Sequence, residues 1–124
     1  MAVVPEFLIK RLYKNGSLKK EGNQITFVLK NVLGPGFISG FNYVKINDVL
    51  YTAEQVKFIT QGKELLGTEV SESNPVSFRL GQEGKFVLNG VDGLKEGKNR
   101  IEIEVMNPEA GKVGLTTEDS LKNE

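Results

Sequence analysis

The chain has 124 residues, with 16 basic residues balanced by 16 acidic ones, and it contains neither cysteine nor histidine. This length suits one domain, and the 39% of apolar residues can fill one core without disulfide bridges. The missing residue types exclude Ser-His-Asp centres, Cys-His centres and thiolate zinc sites within this chain. The balanced charge disfavours nucleic-acid binding, which relies on a basic surface.

Residues 1–6 contain neither a basic segment nor a long apolar run, and no stretch of about 18 apolar residues occurs in the chain. The absence of cysteine is compatible with a reducing compartment. We therefore expect a cytoplasmic protein that does not associate with membranes. Composition alone leaves carboxylate, lysine or tyrosine catalysis open.

Alternation of apolar and polar residues with a period of two dominates the chain and predicts β-strands whose apolar faces line a core. In chain order, the apolar members of the clearest runs are Ile25, Phe27 and Leu29; Val44 and Ile46; Val56 and Phe58; Val76, Phe78 and Leu80; Phe86 and Leu88; and Ile101, Ile103 and Val105. Glycine-containing turns separate these runs, and residues 52–55 could form one helical turn. The pattern predicts an all-β fold, an antiparallel β-sandwich of immunoglobulin-like or jelly-roll-like type with little or no helix.

The composition changes after residue 105, where the sequence becomes polar with scattered glycine and proline. We therefore predict a single sandwich domain over residues 1–105 and a polar C-terminal tail over residues 106–124. The tail is expected to dock on the domain or on a partner. Its candidate anchors are Val113, Leu115 and Leu121.

One loop combines glycine and proline with large apolar residues, and it is the predicted interface. The residues assigned to it are Gly34, Pro35, Gly36, Phe37, Ile38, Phe41 and Tyr43. If Val44 and Ile46 point into the core, strict alternation turns Phe41 and Tyr43 outward. Exposed apolar groups in one neighbourhood often mark a contact surface. The alternative is that Phe37 and Ile38 plug the open end of the sandwich.

Three other groups of residues have a chemical interpretation and a simpler structural one. Glu102 and Glu104 share one strand face about 7 Å apart, a separation used by glycosidases, but charged residues also commonly line a solvated face. Residues 89–96 offer oxygen donors without the spacing of a calcium loop, which favours consecutive turns. Tyr43, beside Asn42 and Lys45, could form a platform for a sugar. No catalytic, cofactor-binding or metal-binding residue is predicted.

The order of several segments carries a resemblance to a known family. The segments are VKIND at residues 44–48, NPVSFRLG at 74–81 and GLKEGKNRIEI at 93–103. In order and spacing over residues 24–105, the chain resembles the small β subunits of bacterial C-glycoside deglycosidases and their relatives. The resemblance implies a β-sandwich subunit bound to a larger TIM-barrel subunit similar to sugar isomerases and epimerases. That partner would hold a divalent metal and the catalytic base that cleaves 3-keto C-glycosides.

Together these observations predict a non-catalytic accessory subunit of a carbohydrate-active hetero-oligomer, part of a complex like the C-glycoside lyases. Two alternatives from other classes remain. One is a free-standing β-sandwich that binds carbohydrate or another ligand, and the other is a structural homo-oligomer.

Overall fold

A computed structural model describes residues 9–33 and 36–121, which form β-strands joined by short turns. The strands are β1 (Lys19–Glu21), β2 (Gln24–Lys30), β3 (Phe37–Ile38), β4 (Gly40–Ile46), β5 (Val49–Tyr51), β6 (Val56–Thr60), β7 (Lys63–Leu66), β8 (Val76–Ser77), β9 (Glu83–Asn89), β10 (Gly97–Asn107) and β11 (Gly111–Leu121). Short 3₁₀ turns occupy Lys10–Leu12, Ala53–Gln55 and Gly67–Glu69. The predicted all-β fold is confirmed.

The strands form two main antiparallel sheets and a small ribbon. One sheet has five strands in the order β1-β2-β9-β6-β7, and the other has four in the order β11-β10-β4-β5. β3 and β8 pair with each other as a two-stranded ribbon. Because β9 lies between β2 and β6, and β10 lies beside β4, the chain passes repeatedly between the two sheets. This arrangement is the sandwich-like architecture that the strand spacing predicted.

Aromatic rings join the two sheets in one core. Phe27 stacks on Phe86 within the five-stranded sheet, with ring centroids 5.0 Å apart. Phe41, from the four-stranded sheet, lies 5.4 Å from Phe58 and 5.6 Å from Phe86, measured between centroids. Such ring pairs each contribute about 0.5–1.5 kcal/mol beyond the burial of their apolar surface. The sheets are therefore held face to face by a shared aromatic cluster.

The prediction that Phe41 points outward is wrong, because β4 contains a β-bulge. Glu104 of β10 pairs with Tyr43, whereas the next residue, Val105, pairs with Phe41, so Asn42 is an extra residue on β4. The extra residue reverses the alternation, and Phe41 turns into the core with only 5% of its surface exposed. Tyr43 stays on the outer face and is half-buried.

The segment after residue 105, expected to be a polar tail docked on the domain or on a partner, is a strand paired with the domain. β10 continues to Asn107, and β11 then pairs with it in a continuous antiparallel register from Gly111↔Asn107 to Leu121↔Gly97. Of the proposed anchors, Leu115 is buried, Leu121 packs against the core and Val113 is half-buried. The strand has few apolar residues, yet it is paired with β10 along its whole length.

The inward orientation predicted for Leu80 is also wrong. β8 ends at Ser77, and Phe78 is the last buried residue of this run. A turn follows, in which the backbone N–H of Gln82 donates to the carbonyl of Arg79 at 3.0 Å. The turn leaves Leu80 with 61% of its surface exposed.

Among the described residues, no helix is long and apolar enough to cross a membrane.

Candidate interaction surface

Four exposed apolar side chains lie in or directly beside the β2–β3 and β8–β9 connections, which backbone hydrogen bonds hold together. We call this set the loop-end patch, and its members are Val32, Leu33, Phe37 and Leu80. Phe37 is 50% exposed and Leu80 is 61% exposed. Single exposed apolar side chains are ordinary on a protein surface, whereas several in one neighbourhood often mark a contact surface.

Backbone hydrogen bonds fix the two connections to each other. The N–H of Gly81 donates to the carbonyl of Asn31 at 2.7 Å, and the N–H of Asn31 donates to the carbonyl of Gln82 at 2.9 Å. The side-chain amide of Asn31 donates to the carbonyl of Phe78 at 2.6 Å. The N–H of Phe78 in turn donates to the carbonyl of Gly36 at 3.0 Å. The loop-end patch therefore lies on two backbone segments that are hydrogen-bonded to each other.

The structure divides the predicted interface into three groups. Gly34 and Pro35 lie outside the described residues. Phe37 is exposed and belongs to the loop-end patch, with Gly36 half-buried beside it. Ile38 (7% exposed) and Phe41 are core residues, so for Ile38 the interpretation as a plug is the one that fits. Tyr43 lies on the outer face of the four-stranded sheet, on β4, whereas Phe37 belongs to the β3–β8 ribbon.

Sequence reasoning missed three members of the patch. Val32 and Leu33 lie just after β2, beyond Asn31, and the sequence did not assign them to any surface. Leu80 was assigned to the core by alternation. The signal that could have placed Leu80 correctly is Gly81, which adopts φ +86°, a conformation typical of turns rather than of strand interiors.

The outer face of the four-stranded sheet carries the two glutamates and Tyr43. Arg100 pairs with Glu102, and Asn42 donates to Glu104 at 2.8 Å. The Lys45 ammonium lies 5.7 Å from the centre of the Tyr43 ring. Each carboxylate thus has a local polar partner, which is the ordinary arrangement of a solvated strand face.

Ionisable groups near β1 also form local pairs. A shallow groove of about 260 Å³ lies beside β1 and is lined partly by Lys14, Lys85 and Glu21. Lys85 contacts Glu21 at 3.3 Å, and Lys14 contacts Glu83 at 3.1 Å. The hydrogen bonds of Glu21 with Lys85 and then with Thr26 lower the pKa of its carboxyl group. In the part of the chain that the structure describes, no group of three or more acidic side chains is arranged to hold a metal ion.

The GLKEGKN motif, one of the segments behind the family resemblance, has a structural role. Asn99 is fully buried, and its side-chain oxygen accepts from the N–H of Lys95 at 2.8 Å. Its amide donates to the carbonyls of Lys95 and Gly97, both at 2.9 Å. Asn47, at φ +57°, adds a hydrogen bond of 3.0 Å from its own amide. The motif therefore closes a corner before a strand.

The comparisons with known proteins give a family. A family model described as hydroxymethylglutaryl-CoA reductase, N-terminal domain, matches residues 8–122, which is nearly all of the chain. A comparison with curated proteins gives no match.

This family match overturns the predicted relation to C-glycoside deglycosidase subunits. The predicted role in a carbohydrate-active lyase complex is therefore wrong as well. The segments that carried the resemblance have structural roles: alternation forms the strands, and Asn99 closes a corner of the chain. Such features recur in β-sheet proteins of different function, so they specify no substrate. The barrel partner and its divalent metal rested on that resemblance and have no separate support.

Proposed function

Because this chain belongs to the hydroxymethylglutaryl-CoA reductase N-terminal domain family, we propose that it serves such a reductase as a non-catalytic β domain. In this role it binds the catalytic part of the reductase through the loop-end patch. The observation that carries the proposal is the match over residues 8–122, which spans the whole described fold rather than one motif.

The residues of the chain support a binding role over a chemical one. It has no histidine or cysteine, the side chains that most often serve as general bases and nucleophiles. The carboxylates of the outer sheet face have local partners, as described above. The loop-end patch, in contrast, offers an aromatic ring and three aliphatic side chains on a rigid base, which is the composition of an interface centre. We also propose a cytoplasmic location, because a chain without cysteine is compatible with a reducing compartment.

The test is a binding measurement with the catalytic part of the reductase from the same source. We expect the chain to form a complex by native mass spectrometry and isothermal titration calorimetry. The double variant Phe37→Asp/Leu80→Asp should weaken binding roughly thirtyfold or more, since it places two charges at the centre of an apolar contact.

The matched control changes two other exposed leucines in the same way. Leu50 is 49% exposed and lies on β5, and Leu66 is 46% exposed and lies on β7. Each of these strands is one of the two edge strands of its sheet. Leu50→Asp/Leu66→Asp should bind as the wild type does. If the wild type fails to bind the catalytic part at high micromolar concentration, the proposed function is wrong. If both double variants bind equally well, the loop-end patch is not the contact surface.

A further inference from the structure

β11 is a long strand at the edge of the four-stranded sheet. It has 11 residues and, within residues 9–33 and 36–121, it pairs on one side only, with β10. An edge strand exposes backbone N–H and carbonyl groups that can pair with another strand. Natural proteins usually keep such edges short or cover them, so an open edge of this length invites a partner strand.

The hydrogen bonding of β10 fixes which residues of β11 face outward along the edge. The N–H of Asn47 donates to the carbonyl of Arg100 at 2.7 Å, and that of Ser39 donates to the carbonyl of Met106 at 2.8 Å. Even-numbered residues of β10 therefore direct their backbone groups to β4, and odd-numbered residues direct theirs to β11. Through the register Ile103↔Leu115, the residues of β11 that face away from β10 are Lys112, Gly114, Thr116, Glu118 and Ser120.

These outward-facing residues are accessible. Lys112, Gly114, Glu118 and Ser120 are exposed, and Thr116 is half-buried. The N–H of Ser120 is bonded to the neighbouring carboxylate of Asp119 at 2.9 Å, so the remaining four residues carry the open backbone. The carboxylate of Glu118 has one contact, a long 3.9 Å pair with exposed Lys98.

The charges on this edge are complementary to themselves. When two copies of β11 run antiparallel about a two-fold axis at Leu115, Lys112 of each copy lies directly opposite Glu118 of the other. Gly114 then lies opposite Thr116 in the same register. All four positions belong to the set whose backbone faces the open edge, so every pair is a hydrogen-bonded pair. The register joins two opposite-charge pairs and places no like charges together.

We propose that a second copy of this chain docks on β11 in this antiparallel register, so that two four-stranded sheets become one continuous eight-stranded sheet. A two-fold interface of this kind uses the same surface on both copies and leaves no open edge between them. The inference does not depend on the reductase assignment, and the loop-end patch takes no part in it.

The experiment uses charge reversal and sedimentation velocity over micromolar to near-millimolar concentrations. We expect the wild type to form a dimer that dissociates on dilution. Lys112→Glu alone places glutamate opposite glutamate twice, and Glu118→Lys alone places lysine opposite lysine twice. Each variant alone should dimerise roughly tenfold more weakly or worse. An equimolar mixture of the two variants restores both opposite-charge pairs, so it should form a heterodimer of near wild-type affinity.

Lys95→Glu is the matched control, since it makes the same charge change at an exposed position outside β11. It should dimerise as the wild type does. The proposal is overturned if the wild type is monomeric throughout the concentration range. It is equally overturned if Lys112→Glu dimerises normally, or if mixing the two reversed variants does not restore association.

Discussion

Asn99 shows how one polar residue can occupy an apolar interior. It is completely buried, yet both atoms of its amide are hydrogen-bonded, to the backbone of Lys95 and Gly97 and to the side chain of Asn47. Across the described residues, every buried side-chain nitrogen and oxygen has a partner. Burial of a polar group is tolerated only on this condition, because an unsatisfied group costs about 1–3 kcal/mol.

At the residue scale, we therefore expect Asn99→Ala to lower the free energy of unfolding by about 3 kcal/mol. The change leaves the N–H of Lys95 without its acceptor and removes the bonds that close the corner before β10. Urea denaturation followed by circular dichroism measures the loss. Asn42→Ala is the control, since Asn42 is exposed, and it should change stability by less than about 0.5 kcal/mol. Equal losses in the two variants would contradict the role given to Asn99.

At the scale of the element, the bulge in β4 decides which aromatic residues reach the core. Without Asn42 as an extra residue, strict alternation places Phe41 on the outer face beside Tyr43. With it, Phe41 contacts Phe58 and Phe86 across the two sheets. The bulge thus supplies a ring to the core from a strand whose alternating pattern would otherwise exclude it.

Deleting Asn42 should therefore be far more damaging than replacing it. We expect the deletion to lower the free energy of unfolding by about 3–5 kcal/mol, the range for removing a buried phenylalanine from a core. Denaturant unfolding of the deletion and of Asn42→Ala compares the loss of the residue with the loss of its side chain. A deletion variant as stable as Asn42→Ala would show that the bulge does not set the orientation of Phe41.

At the scale of the whole molecule, a single carboxylate joins the beginning of the described chain to its end. Oδ2 of Asp119, on β11, accepts from the Tyr13 hydroxyl at 2.6 Å and from the N–H groups of Gly16 and Leu18 at 3.0 and 3.2 Å. Burial, followed by this hydrogen bond, raises the pKa of Tyr13 well above its ordinary value of 10.0. The neutral phenol is therefore the form that the folded protein stabilises.

This shift predicts a loss of stability in alkali. Above about pH 10 the unfolded chain releases the Tyr13 proton while the folded chain retains it, so the free energy of unfolding falls as pH rises. The slope approaches about 1.4 kcal/mol per pH unit for one such group. Tyr13→Phe should be less stable at neutral pH and should lose stability less steeply between about pH 10 and 11. Urea denaturation at a series of pH values tests this, and parallel slopes in the two proteins would refute it.

The class of fold follows from the amino-acid sequence, because alternation is a local property. Apolar residues two positions apart predict the strands at residues 86–88 and 101–105. Because successive side chains of a strand point to opposite faces, the same spacing also predicts an inner and an outer face. The composition also excludes chemistry that uses histidine or cysteine side chains of this chain. The glycine-flanked setting of Phe37 made it a candidate for the interface, and its side chain is exposed, but its role in an interface stays a prediction.

Features that depend on pairing between distant segments do not follow from the sequence and become visible only in the folded chain. The bulge at Asn42 is defined by β10, some 60 residues later in the chain, so local alternation could not reveal that Phe41 turns inward. The segment that forms β11 was predicted to be a tail because it has few apolar residues, and only its pairing with β10 identifies it as a strand. The loop-end patch unites residues near 32 and 80 through backbone hydrogen bonds, which no local pattern encodes. Sequence spacing fixes which face a residue occupies within a strand, whereas the partner strand fixes the register, and register decides what that face meets.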